Sequence, residues 1–195
     1  MNTTQSVIHF STPYVFIAGS YHRSRNNDSL CRILGFELSK YNIGVISAGG
    51  KPGLQVTYSL DKALSDSNQY EPTKLLTFYR RKLKQDYLKI KRVGNIFIGK
   101  DVEEMRDAML SKATVMIAIG GGNRTWEEIR AAEKLNIPVI PIGMSGGTAY
   151  AVWLEYQMSR QAEKHHVFSR LANKNPFIAT DAIIDILKSM IILTD

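Results

Sequence analysis

Short apolar runs alternate with longer amphipathic stretches along this chain. The runs Val15–Ala18, Ile43–Ser47, Leu75–Tyr79, Ile96–Ile98, Val115–Ile119 and Val139–Ile142 predict strands, and Phe177–Ala179 reads as one more. Helices are expected over Leu30–Tyr41, Leu54–Leu64, Leu83–Lys91, Val102–Ser111, Trp126–Leu135, Ala149–Glu163 and Ala182–Met190. Strands in alternation with helices imply an α/β fold, a doubly wound and mostly parallel sheet with helices on both faces. Right-handed crossovers then bring the carboxyl ends of the strands to one edge, where ligands bind. No repeat, linker or low-complexity tract divides residues 1–195, so a single domain is expected. Asp66–Lys74 has no periodicity and reads as an exposed loop and a candidate lid.

The strongest local signal runs from Val115 to Glu128. A continuous apolar run, the mark of a strand covered on both faces, leads into Gly120-Gly121-Gly122-Asn123-Arg124-Thr125. Glycines let the backbone turn and expose its N–H groups. Thr125 and Glu128 have capping-box spacing, which predicts a helix start at Thr125. Strand, glycine loop and helix start together suit an anion, usually a phosphate. Three other small-residue loops follow strands: Gly19-Ser20-Tyr21-His22-Arg23, Ala48-Gly49-Gly50-Lys51-Pro52-Gly53 and Gly143-Met144-Ser145-Gly146-Gly147-Thr148. One such loop is an ordinary turn. Four at the same end of successive strands point to a shared site.

Each loop contributes candidates. Ser20 offers a hydroxyl, and His22 and Arg23 can reach a phosphate or stack on a base, although His22 alone reads as a surface histidine. Pro52 fits a first helical turn, which places Lys51 where its ammonium can neutralise a phosphate; an ordinary loop lysine is an equal reading. With Glu128 assigned to the capping box, Glu127 is the better functional carboxylate, as an acceptor from ribose hydroxyls or acting on a ribose carbon. Arg106 can pair with a ligand phosphate or with Glu127. Lys112, in the last turn of its helix, is a further ligand candidate, with the helix dipole as its simpler explanation. Trp126 and Trp153 read as packing.

Composition narrows the classes. The formal net charge is +7, and the bases concentrate between Tyr79 and Arg92, including Arg80 and Arg81. They are interleaved with apolar residues at helical spacing, so a solvated helix is the first reading. Nucleic-acid binding is the weaker alternative, because no nucleic-acid motif accompanies the run. A single cysteine, Cys31, excludes an internal disulfide and fits a reducing cytoplasm. The polar segment Met1–Thr12 lacks signal-peptide order, no run approaches a membrane span, and no membrane partner is expected. Adjacent His165 and His166 suit one metal poorly, and no metal or cofactor is expected. A nucleophile elbow and the dinucleotide glycine fingerprint are both lacking.

Met105-Arg106, Gly121-Gly122, Thr125 and Glu127-Glu128 resemble the paired signature of the LOG-type lysine-decarboxylase-like family: an arginine on one helix and a Pro-Gly-Gly-x-Gly-Thr-x-x-Glu loop after a strand. Gly19-Ser20 and Gly49-Gly50 are also similar, and the likeness spans roughly Val15 to Trp153. It implies the SLOG superfamily of Rossmann-like nucleotide-binding domains, whose members hydrolyse nucleoside monophosphates or bind nucleotide-derived signals. The chain departs from the enzyme pattern. Gly120 replaces the proline and Arg124 the glycine before the threonine, and the Thr-x-x-Glu spacing selects Glu128 while Glu127 is its neighbour.

Gly19-Ser20-Tyr21-His22, Tyr79-Arg80-Arg81 and the Gly-Gly-Asn loop more closely resemble the SLOG sensor domain of Thoeris antiphage effectors. That resemblance implies a sensor for a cyclic ADP-ribose isomer rather than a catalyst. Its ligand-binding residues would be Gly19, Ser20, His22, Gly49, Gly50, Lys51, Arg80, Arg81, Lys112, Gly121, Gly122, Asn123, Arg124, Thr125, Glu127 and Gly146. It also implies an attached or associated effector, a homodimer or tetramer, and a role in antiviral defence. The alternative is a LOG-like phosphoribohydrolase acting through Arg106 with Glu127 or Glu128.

Overall fold

The computed structural model describes residues 12–80, 93–159 and 165–191. Six strands, β1 (Tyr14–Ser20), β2 (Gly44–Ser47), β3 (Leu75–Arg80), β4 (Asn95–Gly99), β5 (Val115–Gly120) and β6 (Val139–Ile142), form one sheet in the order β4-β3-β2-β1-β5-β6. Every pairing is parallel. The helices are α1 (Arg25–Leu38), α2 (Lys51–Asp66), α3 (Val102–Leu110), α4 (Asn123–Lys134), α5 (Gly147–Ser159), the short α6 (His165–Ser169) and α7 (Pro176–Met190). This is the Rossmann-like α/β sheet that the alternation of runs predicts.

Strand alternation divides the core into two layers. Val15, Ile17, Val115, Ile117 and Ile119 face one side, where they pack with Leu34 of α1, Leu60 of α2 and Ile183 of α7. Phe16, Ala18, Met116 and Ala118 face the other, against Met105 and Met109 of α3, Ile129 of α4 and Val152 of α5. The central strands are therefore apolar on both faces, as parallel strands under helices must be. Pro141 is tolerated in β6 because that strand pairs only with β5.

Three expectations are corrected. Phe177–Ala179 is not a strand but the first turn of α7. The Asn175 side chain accepts from the Phe177 N–H at 3.0 Å, and Pro176 stands in the first turn. Those helix-start signals outweigh three apolar residues that fit either period. Asp66–Lys74 is exposed but cannot be a lid. It leaves the end of α2 and enters β3, so it lies at the amino edge of the sheet, away from the glycine loops. The helix at Trp126–Leu135 begins earlier, at Asn123, with Gly122 as its N-cap. The expected helix Leu83–Lys91 lies outside the described residues. That at Ala149–Glu163 is seen as α5 to Ser159, and residues 160–164 lie outside as well.

The two-layer core sets a stability test. Ile117 is fully buried at the centre of the sheet, whereas Met158 on α5 is 89% exposed. In urea unfolding, Ile117→Ala is expected to lose about 3 kcal/mol and Met158→Ala less than about 0.5 kcal/mol.

Candidate functional site

β1 and β5 remain paired to their last residues, with Gly19 opposite Ile119 and Ser20 opposite Gly120. The Gly121 N–H then donates to the Ser20 carbonyl at 2.6 Å. A Cβ on Gly19 would lie 2.1 Å from the Ile119 carbonyl oxygen, and φ there is +122°, so only glycine fits. Beyond this clamp the two loops part. β2, β3 and β4 lie on one side of β1, and β5 and β6 on the other. The gap between the β1 and β5 loops is thus the switch point at which open α/β sheets hold ligands.

A cavity of about 350 Å³ occupies that gap. Gly19 and Ser20 come to it from β1, Ala48 and Gly50 from the β2 loop, and Gly122, Asn123, Arg124, Thr125 and Glu128 from the start of α4. Two helices begin on this cavity, α2 at Gly50 and α4 at Gly122. Neither has a side-chain cap or an acidic residue in its first turn. By contrast, α1, α3 and α7 are capped by Ser24, Asp101 and Asn175. The first-turn amides of α2 and α4 therefore present partial positive charge without a side-chain acceptor, which favours a bound anion. Arg124 adds a formal charge to the same wall.

Gly122 is informative because nothing local demands glycine. Its φ is −136°, and no atom lies within 4 Å of where a Cβ would stand. The space left open belongs to the cavity.

Glu128 forms the buried end of the cavity wall. It is 7% exposed and makes no hydrogen bond or ion pair among the described residues. Burial pushes its carboxyl up to about 7. Arg124 and Arg106 pull the other way, and Glu127 reinforces the rise. The expected capping box does not form. Thr125 sits inside the first turn, packed against the Gly121 backbone, and Gly122 is the N-cap without a side-chain bond. With no box to serve, Glu128 is the carboxylate in the pocket. Glu127 is instead an exposed partner of Arg106 at 3.8 Å.

Two more hollows adjoin the cavity. One, of about 670 Å³, lies between α3 and α4 and is lined by Asp101, Val102, Glu103, Arg106, Arg124 and Glu127. Arg106 Nε is buried there without a hydrogen-bond partner. The other, of about 400 Å³, is lined by Tyr21 and His22, the glycine backbone of the β5 loop, Ser145 and Gly147. It shares Ser20 and Gly122 with the first cavity.

The remaining candidates scatter. Lys51 is committed to Asp28 at 2.8 Å and lies over the Tyr21 ring, so it does not line the cavity. Gly49, at φ +74°, serves the packing of Tyr79, because a Cβ would stand 2.6 Å from that ring. Gly121 and Gly146 lie in loops of the site, Gly121 in the wall of the Tyr21–His22 hollow. Arg80 ends β3, paired with Gly99 of β4. Arg81 lies outside the described residues. Lys112 follows α3 and precedes β5, at the amino edge, so it is not brought to the site. Trp153 is structural, its Nε1–H donating to the Phe168 carbonyl at 3.0 Å.

Sequence reasoning missed Ser145. Its hydroxyl accepts from the Gly120 N–H at 2.7 Å and donates to the Ile142 carbonyl at 2.5 Å. The Asn27 amide in turn donates to the Ser145 carbonyl at 3.1 Å, tying α1 to the same loop. A serine two residues into a glycine-rich turn was the available signal.

No protein-family model matches the chain, and no curated protein matches it. Solved structures do. The structure titled TM1055 has a TM-score of 0.55 at 20% identity, over 73% of this chain and 81% of that one. The molybdenum cofactor carrier protein of Chlamydomonas reinhardtii has a TM-score of 0.60 at 11% identity, over 91% and 99%. DNA processing protein A of Helicobacter pylori, described as binding single-stranded DNA, has 0.56 at 15%, over 92% and 82%. At such identities the likeness is one of fold alone, the Rossmann-like parallel α/β sheet described above.

The buried carboxyl predicts a pH-dependent stability. The folded state holds a proton on Glu128 up to about pH 7, whereas the unfolded chain releases it near pH 4.5. Folding is therefore opposed increasingly as pH rises through that window. Glu128→Gln is expected to be more stable than the parent at pH 8, by about 1–3 kcal/mol, with the gain fading below about pH 5 in paired thermal melts.

Proposed function

We propose that the cavity at the β1–β5 switch point binds a phosphorylated nucleotide, and that the chain is a sensor rather than a catalyst. The observation that carries this reading is the pair of helix starts without side-chain caps, α2 at Gly50 and α4 at Gly122, opening on one cavity beside Arg124. A phosphate there takes the amides of Asn123 and Arg124, with the guanidinium of Arg124 close by. Glu128, in the cavity wall and without a hydrogen-bond partner among the described residues, takes ribose hydroxyls: it donates when protonated and accepts when ionised.

The ligand favoured is a cyclic ADP-ribose isomer. Support comes from the resemblance of Gly19-Ser20-Tyr21-His22 and the Gly-Gly-Asn loop to the Thoeris sensor domain. Occupancy would signal to an attached or associated effector, through a homodimer or tetramer, in antiviral defence. Among structures with this fold, one is titled a cofactor carrier, so holding a ligand without transforming it is a role the fold supports. Nothing in this reading calls for a metal or cofactor. Among the described residues no helix is long and apolar enough to cross a membrane.

A second reading is favoured by one observation. A carboxyl pushed up to about 7 at the pocket wall suits a general acid that protonates a departing base. In that reading the chain is a LOG-like phosphoribohydrolase, and Glu128 rather than Glu127 is its acid.

Calorimetry with cyclic ADP-ribose isomers, ADP-ribose and AMP tests the sensor. At least one cyclic isomer is expected to bind, and Gly122→Ala to weaken it by about tenfold or more, equivalent to about 1.4 kcal/mol, with the melting temperature unchanged. Silence from every nucleotide would overturn the reading. Release of ribose 5-phosphate from AMP, abolished in Glu128→Ala, would replace it with the hydrolase.

A further inference from the structure

Asn27 and Asp28 lie in the first turn of α1, and neither lines the cavity or the two hollows beside it. Their backbone is pinned by the helix cap. The Asn27 N–H donates to the Ser24 hydroxyl at 3.2 Å, and the Asp28 N–H to the Ser24 carbonyl at 2.9 Å. Both side chains then reach loops at the ligand edge, and they reach different halves of the sheet.

Asp28 serves the β1 and β2 side. Its Oδ1 accepts from the Tyr21 hydroxyl at 2.9 Å, just after β1, and pairs at 2.8 Å with Lys51, the first residue of α2. The Tyr21 hydroxyl also meets Gln55 Oε1 of α2 at 2.9 Å, and Lys51 Nζ lies 4.6 Å from the centre of the Tyr21 ring. Asn27 serves the β5 and β6 side. Its amide donates to the Ser145 carbonyl after β6, and the Ser145 hydroxyl accepts from the Gly120 N–H at the end of β5. An acidic residue in a first turn suits the helix dipole wherever it points. Asp28 does more, because it gathers partners from two other elements. Asn27 is buried, where an apolar side chain would avoid the cost of desolvating an amide, so the carbonyl it holds is what explains it.

We propose that Asn27 and Asp28 are positioning residues that clasp the two sides of the switch point and set the width of the cavity between them. The starts of α2 and α4 line that cavity from opposite sides of the β1–β5 gap. Their spacing decides whether one phosphate meets both sets of amides. Asp28 also holds the Lys51 ammonium away from the cavity, so Lys51 acts through the loop it anchors and not on the ligand. The effect on affinity rests on the nucleotide-binding reading above; the clasp itself does not.

Amide hydrogen exchange and calorimetry with ADP-ribose test this on the full chain. In the ligand-free protein, Asn27→Ala is expected to speed exchange at Gly120 by roughly five- to tenfold, through the freed Ser145 loop, with Ile117 in the middle of β5 unchanged. Asn27→Ala and Asp28→Ala are each expected to weaken ADP-ribose by roughly five- to tenfold, and the second carries the test if the first does not fold. Lys51→Met should match Asp28→Ala, and the double variant should lose no more than either alone, because one pair is broken either way. Lys51→Arg, which keeps the pair, holds the affinity within about twofold. Tighter binding by Asp28→Ala would overturn the clasp, since a freed Lys51 would then be acting on the phosphate itself. Unchanged affinity in both variants would do the same, as would unchanged exchange at Gly120, or Gly120 and Ile117 accelerating together, the mark of a loosened core. If ADP-ribose does not bind even the parent, the nucleotide reading falls, and exchange at Gly120 alone decides the clasp.

Discussion

The site depends on β1 and β5 staying hydrogen-bonded to their very ends. Their register carries Gly19 against Ile119 and Ser20 against Gly120 with no room for a side chain at Gly19. Because the strands separate only after this contact, their loops diverge from a fixed point. Gly121 locks the divergence by donating to the Ser20 carbonyl, and Thr148 of α5 donates back to the Gly121 carbonyl at 3.1 Å. The glycine loop is therefore a rigid element held from both sides. A rigid loop can present amides at a fixed position without the entropic loss of ordering them on binding.

The electrostatics follow from the same geometry. Ser24, Asp101 and Asn175 cap α1, α3 and α7, whose starts lie away from the cavity, while the two helices that open on it have no side-chain cap. With glycine at the cap, such a start forgoes roughly a few tenths of a kcal/mol relative to a side-chain cap. Burying Glu128 without a partner is a second local penalty of the same sort. Both penalties meet at one cavity, and a ligand with phosphate and hydroxyl groups would relieve both. Local rules broken together at a single place are the usual mark of a functional site.

Much of this was legible in the sequence. Val115–Ile119 followed by three glycines placed β5 and its loop, and the four loops gave the edge at which the site lies. What failed was local ambiguity. Thr125 and Glu128 match a capping box in spacing, but Gly120, Gly121 and Gly147 all adopt positive φ, and the chain turns early enough to start α4 at Asn123. That shift of two to three residues exchanges the roles of Glu127 and Glu128, moving the buried carboxyl into the pocket and the expected one out to Arg106. For Lys51 the sequence left two equal readings open, and its partner lies elsewhere in the chain. Asp28, distant in sequence, captures its ammonium. Lys112 was placed by its helix, but the helix runs away from the ligand edge. Neither partner nor direction is visible in a residue's own neighbourhood.

The account's central claim is that the backbone amides at the start of α4 hold a phosphate. Two-dimensional NMR of ¹⁵N-labelled protein titrated with ADP-ribose addresses it directly. The account predicts that the Asn123 and Arg124 amide resonances move first and furthest, with Ser20 and Gly50 close behind. Shifts concentrated at the amino edge, around Tyr41 and Lys74, with the α4 amides unmoved, would contradict it.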